Sequence, residues 1–134
     1  MDWPTFDKEI DQLISKIDIK PDLIIGIARG GVIPAVAVAN RLGIEQFHAL
    51  KVIRNGDKRE IITKVTEIIE GKVVLLVDDM LESGKGSKLA KEYLEDKGAK
   101  VVVACFYVMP ETKQEIVPDY FLKTVDEIIK FPWE

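Results

Sequence analysis

The chain has 134 residues, 47% apolar and 31% charged, with 19 Lys and Arg against 23 Asp and Glu and a formal net charge of -4. That length suits one domain with a self-sufficient core; the composition excludes a disordered tail, and the acidic balance argues against a nucleic-acid partner. A single Cys105 excludes an internal disulfide framework or thiolate zinc cluster, and a single His48 argues against a poly-histidine metal site.

Helices and strands alternate along the chain, which predicts an α/β fold with a mainly parallel central sheet flanked by helices. Phe6, Ile10, Leu13, Ile14 and Ile17 recur at helical spacing behind Thr5, the expected N-cap. Residues 23–27 read as a short buried strand. Gly30-Gly31 is a turn, and 32–42 form an apolar helix closed by Gly43. The longest uncharged stretch, 32–40, is too short to span a bilayer, and residues 1–8 lack a signal-peptide core. The expectation is a cytoplasmic protein with no membrane partner.

Residues 47–53 are an expected strand, Asn55-Gly56 signals a hairpin, and 60–65 is the expected return strand. The contiguous apolar run 72–77 is the clearest buried strand. A helix is expected from about Ser87 to Lys97, and one buried strand over 101–108. The last 25 residues are irregular, with short strand-like runs. Residues 1–134 are expected to be one domain.

Two loops carry chemistry, because each leaves the C-terminal end of a buried strand and enters a helix, where parallel sheets bind ligands. The first is Ala28-Arg29-Gly30-Gly31, whose glycines allow close backbone approach and whose arginine suits phosphate. Taken alone, it reads first as a plain strand-to-helix turn with a surface arginine. The second runs Asp78-Asp79-Met80-Leu81-Glu82-Ser83-Gly84-Lys85-Gly86-Ser87. Its adjacent acids at a hydrophobic strand end call for a cation or polyhydroxyl ligand. Its Ser83–Ser87 stretch suits a phosphate monoester. It is not a Walker A loop, since Gly84-Lys85-Gly86-Ser87 breaks the required ending.

The segment Val73-Val74-Leu75-Leu76-Val77-Asp78-Asp79-Met80-Leu81-Glu82-Ser83-Gly84-Lys85 resembles the phosphoribosyl-pyrophosphate (PRPP) signature of type I phosphoribosyltransferases. The segment from Ile25 through Ala28-Arg29-Gly30-Gly31 to Pro34 resembles that family's pyrophosphate loop. The ending, Pro118-Asp119-Tyr120 through Phe131-Pro132-Trp133-Glu134, is similar to the tail of small xanthine-guanine members.

This resemblance implies the type I phosphoribosyltransferase fold with a small C-terminal base-binding hood over 109–134. It implies transfer of the 5-phosphoribosyl group from PRPP to a purine base (xanthine, guanine or hypoxanthine), yielding nucleotide and pyrophosphate in purine salvage. Asp78 and Asp79 would hold ribose hydroxyls and the cofactor Mg²⁺. Glu82, Ser83, Gly84, Lys85, Gly86 and Ser87 would hold the 5′-phosphate. Ala28, Arg29, Gly30, Gly31, Lys51 and Arg59 would hold pyrophosphate. With Asp78 and Asp79, Glu82 is a catalytic candidate, as the acceptor of a purine proton. Residues 51–64 would be a mobile loop closing over the substrate, although alone they read as a solvated hairpin. Met109, Lys113, Ile128, Ile129 and Trp133 are base-pocket candidates, and a homodimer is expected.

The chain departs from the family pattern at three places. Met109 stands where a lysine is usual, Ile128 where a ring-stacking aromatic is usual, and Gly86 where the phosphate loop ends in Thr. Two alternatives follow: a PRPP-binding regulator without turnover, or an enzyme for a non-purine acceptor. His48 and Cys105 read as structural. Charge is unevenly spread: residues 23–64 carry seven basic and three acidic side chains, so the one positive block holds the Arg29 loop and the hairpin. That distribution favours a small polyphosphate bound with a cation.

Overall fold

A computed structural model describes residues 1–110 and 114–134. In chain order the elements are α1 (Trp3–Lys16), β1 (Leu23–Ala28), α2 (Val32–Leu42), β2 (Phe47–Asn55), β3 (Lys58–Ile61), β4 (Val73–Val77), β5 (Met80–Leu81), α3 (Lys85–Asp96), β6 (Lys100–Ala104), β7 (Tyr107–Val108) and β8 (Lys123–Thr124). Helix α1 starts earlier than the Thr5 cap predicts. Asp2 is the N-cap, accepting from the Thr5 N–H at 2.8 Å, and Pro4 is tolerated in the first turn, where its missing N–H costs nothing.

The main sheet has the order β3-β2-β1-β4-β6, parallel except for the antiparallel β2–β3 pair. Both faces are covered, as a parallel sheet requires. Ile24 of β1 and Leu75 and Val77 of β4 pack toward α1 and α2; Leu23, Ile25, Val74 and Leu76 pack toward α3. The chain crosses from β1 to β2 on one side and later enters β4 on the other. The strand order therefore reverses between β1 and β4, and the crevice at their C-terminal ends is the place for a ligand.

The apolar run 101–108 is two strands. β6 stays with β4 as far as the Val77–Ala104 pair; β7 then pairs with β5 in a second, three-stranded sheet of order β5-β7-β8. Both neighbours break together, at Asp78-Asp79 and at Cys105-Phe106. The break is stitched by the Asp78 N–H donating to the Ala104 carbonyl (3.0 Å) and the Phe106 N–H to the Asp79 carbonyl (2.9 Å). Every residue of 101–108 is apolar or buried, so its pattern could not mark the crossing. The two acids thus lie where one sheet hands over to the next.

The hairpin return strand is β3, shorter and earlier than 60–65. Its turn falls on Gly56-Asp57, one residue later than Asn55-Gly56, because Asn55 pairs with Lys58. Gly56 takes φ +63 at the first central position, where a two-residue turn of the II′ kind wants glycine. Among the described residues no helix is long and apolar enough to cross a membrane.

Candidate active site

Asp78 and Asp79 follow directly from β4, half-buried. The Asp78 carboxylate accepts from the Asp79 N–H at 2.9 Å and from the Ser87 hydroxyl at 3.2 Å; that of Asp79 accepts from the Met80 N–H at 2.6 Å. Burial, and then the charge of Asp79, hold the Asp78 carboxyl well above the ordinary carboxylate range. Burial also raises Asp79, with the Glu134 charge adding to it. Among the described residues neither carboxylate has a cationic side chain in a salt bridge, and such a pair suits a divalent cation. No cluster of three or more His, Cys, Asp or Glu suited to a metal occurs among the described residues. Two acids fit Mg²⁺, which is usually held by one or two carboxylates and completed by substrate oxygens and water.

The Arg29 loop packs against these acids. A Cβ on Gly31 would meet the Val77 carbonyl oxygen at 2.4 Å, and one on Gly30 would meet Asp79 Oδ2 at 2.2 Å. The paired glycines are therefore required by close backbone approach. The Ala28–Arg29 peptide is cis, and Ala28 is in register with Lys51 of β2. Arg29, Gly30, Ile33, Asp79, Trp133 and Glu134 line a cavity of about 730 Å³. Sequence reasoning did not single out Glu134; only the fold carries the chain end back to Asp79.

The second loop enters α3 earlier than expected. Gly84, at φ +78, is the N-cap, so Lys85, Gly86 and Ser87 form the first helical turn. The Lys88 N–H closes that turn on the Gly84 carbonyl at 2.9 Å. The amides of Gly86 and Ser87 then have no intrahelical acceptor, which makes the helix start an anion site. These residues line a cavity of about 200 Å³ together with Ile27, Val52, Arg54, Arg59, Asp78 and the 80–84 segment, so Arg59, expected with the pyrophosphate, stands beside this loop and not at the Arg29 cavity. Ser87 is 1% exposed and its hydroxyl is taken by Asp78, which leaves its amide as the donor at the helix start. The Lys85 ammonium donates instead to the Asp57 carbonyl at 3.3 Å, tying the hairpin turn to the loop.

The base-pocket candidates separate. Met109 is buried, with its N–H on the Leu81 carbonyl at 2.9 Å. Ile128 is 64% exposed. Ile129 is half-buried and lines a depression with Thr124, Val125, Asp126 and Glu127. Lys113 lies outside the described residues. Trp133 stacks on Phe131 (centroids 5.0 Å apart, 16° between planes) and abuts Phe6 edge-on, which fixes it at the rim of the Arg29 cavity. Glu82 is exposed at the other cavity's edge. Gln114, which the sequence did not flag, anchors this region: its amide nitrogen donates to the carbonyls of Leu81 (2.9 Å), Glu82 (3.0 Å) and Met109 (3.3 Å). His48 pairs with Glu67 at 2.6 Å, and Cys105 is buried with its thiol pushed up by burial, so both are structural.

A helix-start loop and a cationic glycine loop thus flank an acid pair at the reversal point of a parallel sheet. That arrangement places the chain among the α/β proteins that bind a ligand at the carboxyl ends of a parallel sheet. The chain belongs to the phosphoribosyltransferase family: residues 2–134 match the phosphoribosyl transferase domain. It is 30% identical over 119 residues to a xanthine-guanine phosphoribosyltransferase of Gluconobacter oxydans, covering 83% of this chain and 67% of that one. It is 31% identical over 117 residues to the Idiomarina loihiensis enzyme of the same name, covering 83% and 70%. The crystal structure of a purine phosphoribosyltransferase from Pyrococcus horikoshii superposes with a TM-score of 0.92 at 34% identity, covering all of this chain and 91% of the other. The fold is the type I phosphoribosyltransferase fold.

Proposed function

We propose that the protein transfers the 5-phosphoribosyl group from PRPP to a 6-oxopurine (xanthine, guanine or hypoxanthine), releasing pyrophosphate, in purine salvage. The observation that carries this reading is the position of Asp78 and Asp79, between the cradle of 83–87 and the Arg29 loop. The first cavity suits the 5′-phosphate and the second the pyrophosphate. The reacting C1′ then falls beside the acids. The names of the relatives support the purine acceptor.

In the reaction the C1′–O bond to pyrophosphate breaks as a base nitrogen bonds to C1′, through an oxocarbenium-like transition state. Holding both phosphate ends fixes C1′ in line with the base. Asp78 and Asp79 hold the ribose hydroxyls and Mg²⁺, which when bound neutralises charge on the leaving group. Arg29 and the Gly30-Gly31 amides receive pyrophosphate, with Lys51 beside them through its register with Ala28. Glu82, exposed and free to reach the base, takes its proton. Trp133 walls the base side, and the second sheet with the chain end acts as the hood. The 51–64 hairpin closes over the substrate. Exposed Ile33 and Val36 on α2, with Trp3, supply apolar surface for the homodimer, which light scattering tests.

Mixing protein, PRPP, Mg²⁺ and a purine panel tests the activity. Formation of nucleotide and pyrophosphate is expected. PRPP binding with no turnover on any purine overturns it in favour of a regulator, and turnover only on other bases overturns the acceptor class.

A further inference from the structure

The hairpin register sets two like charges face to face. Arg54 of β2 and Arg59 of β3 are direct cross-strand partners. Like charges so placed repel each other in an antiparallel pair. Among the described residues neither arginine forms a salt bridge, whereas Arg41 holds both Asp7 (2.9 Å) and Asp11 (2.6 Å). Each has instead one long hydrogen bond to its own turn: Arg54 Nε to the Gly56 carbonyl (3.4 Å) and Arg59 Nη1 to the Lys58 carbonyl (3.3 Å). Most of their ten N–H donors are left over.

Strand alternation places Val52 and Arg54 on one face of β2, and Lys51 on the other. Val52, Arg54 and Arg59 all line the cavity of the 83–87 loop. Val52 Cγ1 lies 3.7 Å from where a Cβ on Gly86 would stand, so this face of the hairpin lies directly over the helix start. The Lys85–Asp57 bond pins the turn there. Arg29 lines a different cavity.

We infer that Arg54 and Arg59 form a paired-guanidinium clamp that closes over the phosphate monoester held by the 83–87 cradle. The inference rests on the proposed assignment of that cradle to the 5′-phosphate. The anion bridges the two guanidinium groups from the hairpin side, while the amides of Gly86 and Ser87 approach it from the helix side. An anion bound between the two arginines relieves their mutual repulsion. Phosphate occupancy therefore orders the hairpin over the site, and Lys51, on its opposite face, is left for pyrophosphate.

The test is calorimetric titration of the full chain with ribose 5-phosphate and, separately, with Mg²⁺-pyrophosphate, for wild type, R54Q, R59Q and the double variant. Thermal melts with and without ribose 5-phosphate accompany it. Each single substitution is expected to weaken ribose 5-phosphate binding about tenfold, with pyrophosphate affinity unchanged. R54K and R59K should restore it only in part, because lysine keeps the charge and loses the fork. Without ligand the variants should melt no lower than wild type, an outcome that a merely structural role for the arginines would not produce. Wild-type affinity for ribose 5-phosphate in the double variant overturns the clamp, as does a loss confined to pyrophosphate. Absence of ribose 5-phosphate and PRPP binding in the wild type overturns instead the assignment of the site itself.

Discussion

Gly30 and Asp79 are in contact across the crevice: a Cβ at position 30 would stand 2.2 Å from Oδ2 of Asp79. The Asp79 carboxylate is also held by the Met80 N–H, so it has little room to retreat. Gly30→Ala should push it out of place. The expected result is a fall in kcat/KM of about 10²-fold, the scale of a misplaced catalytic group. The Mg²⁺ dependence should shift to higher concentration. Activity measured across a Mg²⁺ series checks it, and a wild-type profile would refute the contact's importance.

Asp78 is raised by burial and by its neighbour's charge. The folded chain thus holds this proton more tightly than the unfolded chain. The stability it contributes is complete below the ordinary value of 3.8 and is lost as pH rises through the raised folded value. Asp78→Asn removes that loss while keeping an acceptor for the Asp79 N–H. At pH 7 without metal, the variant should melt higher than wild type. The gain should vanish toward pH 3 to 4, and stabilisation by PRPP with Mg²⁺ should be lost. Melting curves across pH decide it.

Two glycines of the phosphate loop should respond oppositely. Gly84 sits at φ +78, and a Cβ there would come within 2.7 Å of Ile116 Cγ2. Gly84→Ala should cost about 1–2 kcal/mol from backbone conformation alone and abolish PRPP binding. A Cβ on Gly86 would meet Val52 Cγ1 at an ordinary 3.7 Å. Gly86→Ala should keep both stability and binding. Paired melts and PRPP titrations compare them directly.

Glu82→Gln separates chemistry from binding. The side chain is exposed and its loss creates no cavity. The expected drop in kcat is about 10²-fold, with PRPP affinity unchanged. Equal losses in kcat and in PRPP affinity would place Glu82 in binding instead.

Gln114 ties three loop carbonyls that no other described side chain holds. Gln114→Ala should cost about 1 kcal/mol, the net worth of a hydrogen bond, since the Leu81 carbonyl keeps the Met109 N–H and the Glu82 carbonyl is open to water. It should also lower kcat by loosening the segment that carries Glu82. Denaturant unfolding and single-turnover rates test both parts.

Local chemistry alone determined the β4 strand, the acid pair at its end, the Arg29 loop and the glycine-serine cradle. Each is a run of adjacent residues whose pattern follows from short-range physics: contiguous apolar side chains for a strand buried on both faces, and glycine where backbone must approach a ligand. Tertiary structure decided what depends on register and on residues far apart in the chain. A one-residue difference in the hairpin turn set Arg54 opposite Arg59. The split of 101–108 into β6 and β7 followed from pairing with β4 and then β5, which an all-apolar run cannot encode. Glu134 reached Asp79, and Gln114 reached Leu81, only through folding. The net charge of -4 hides an uneven spread that only the fold resolves, with acids gathered at the strand end and arginines on the hairpin.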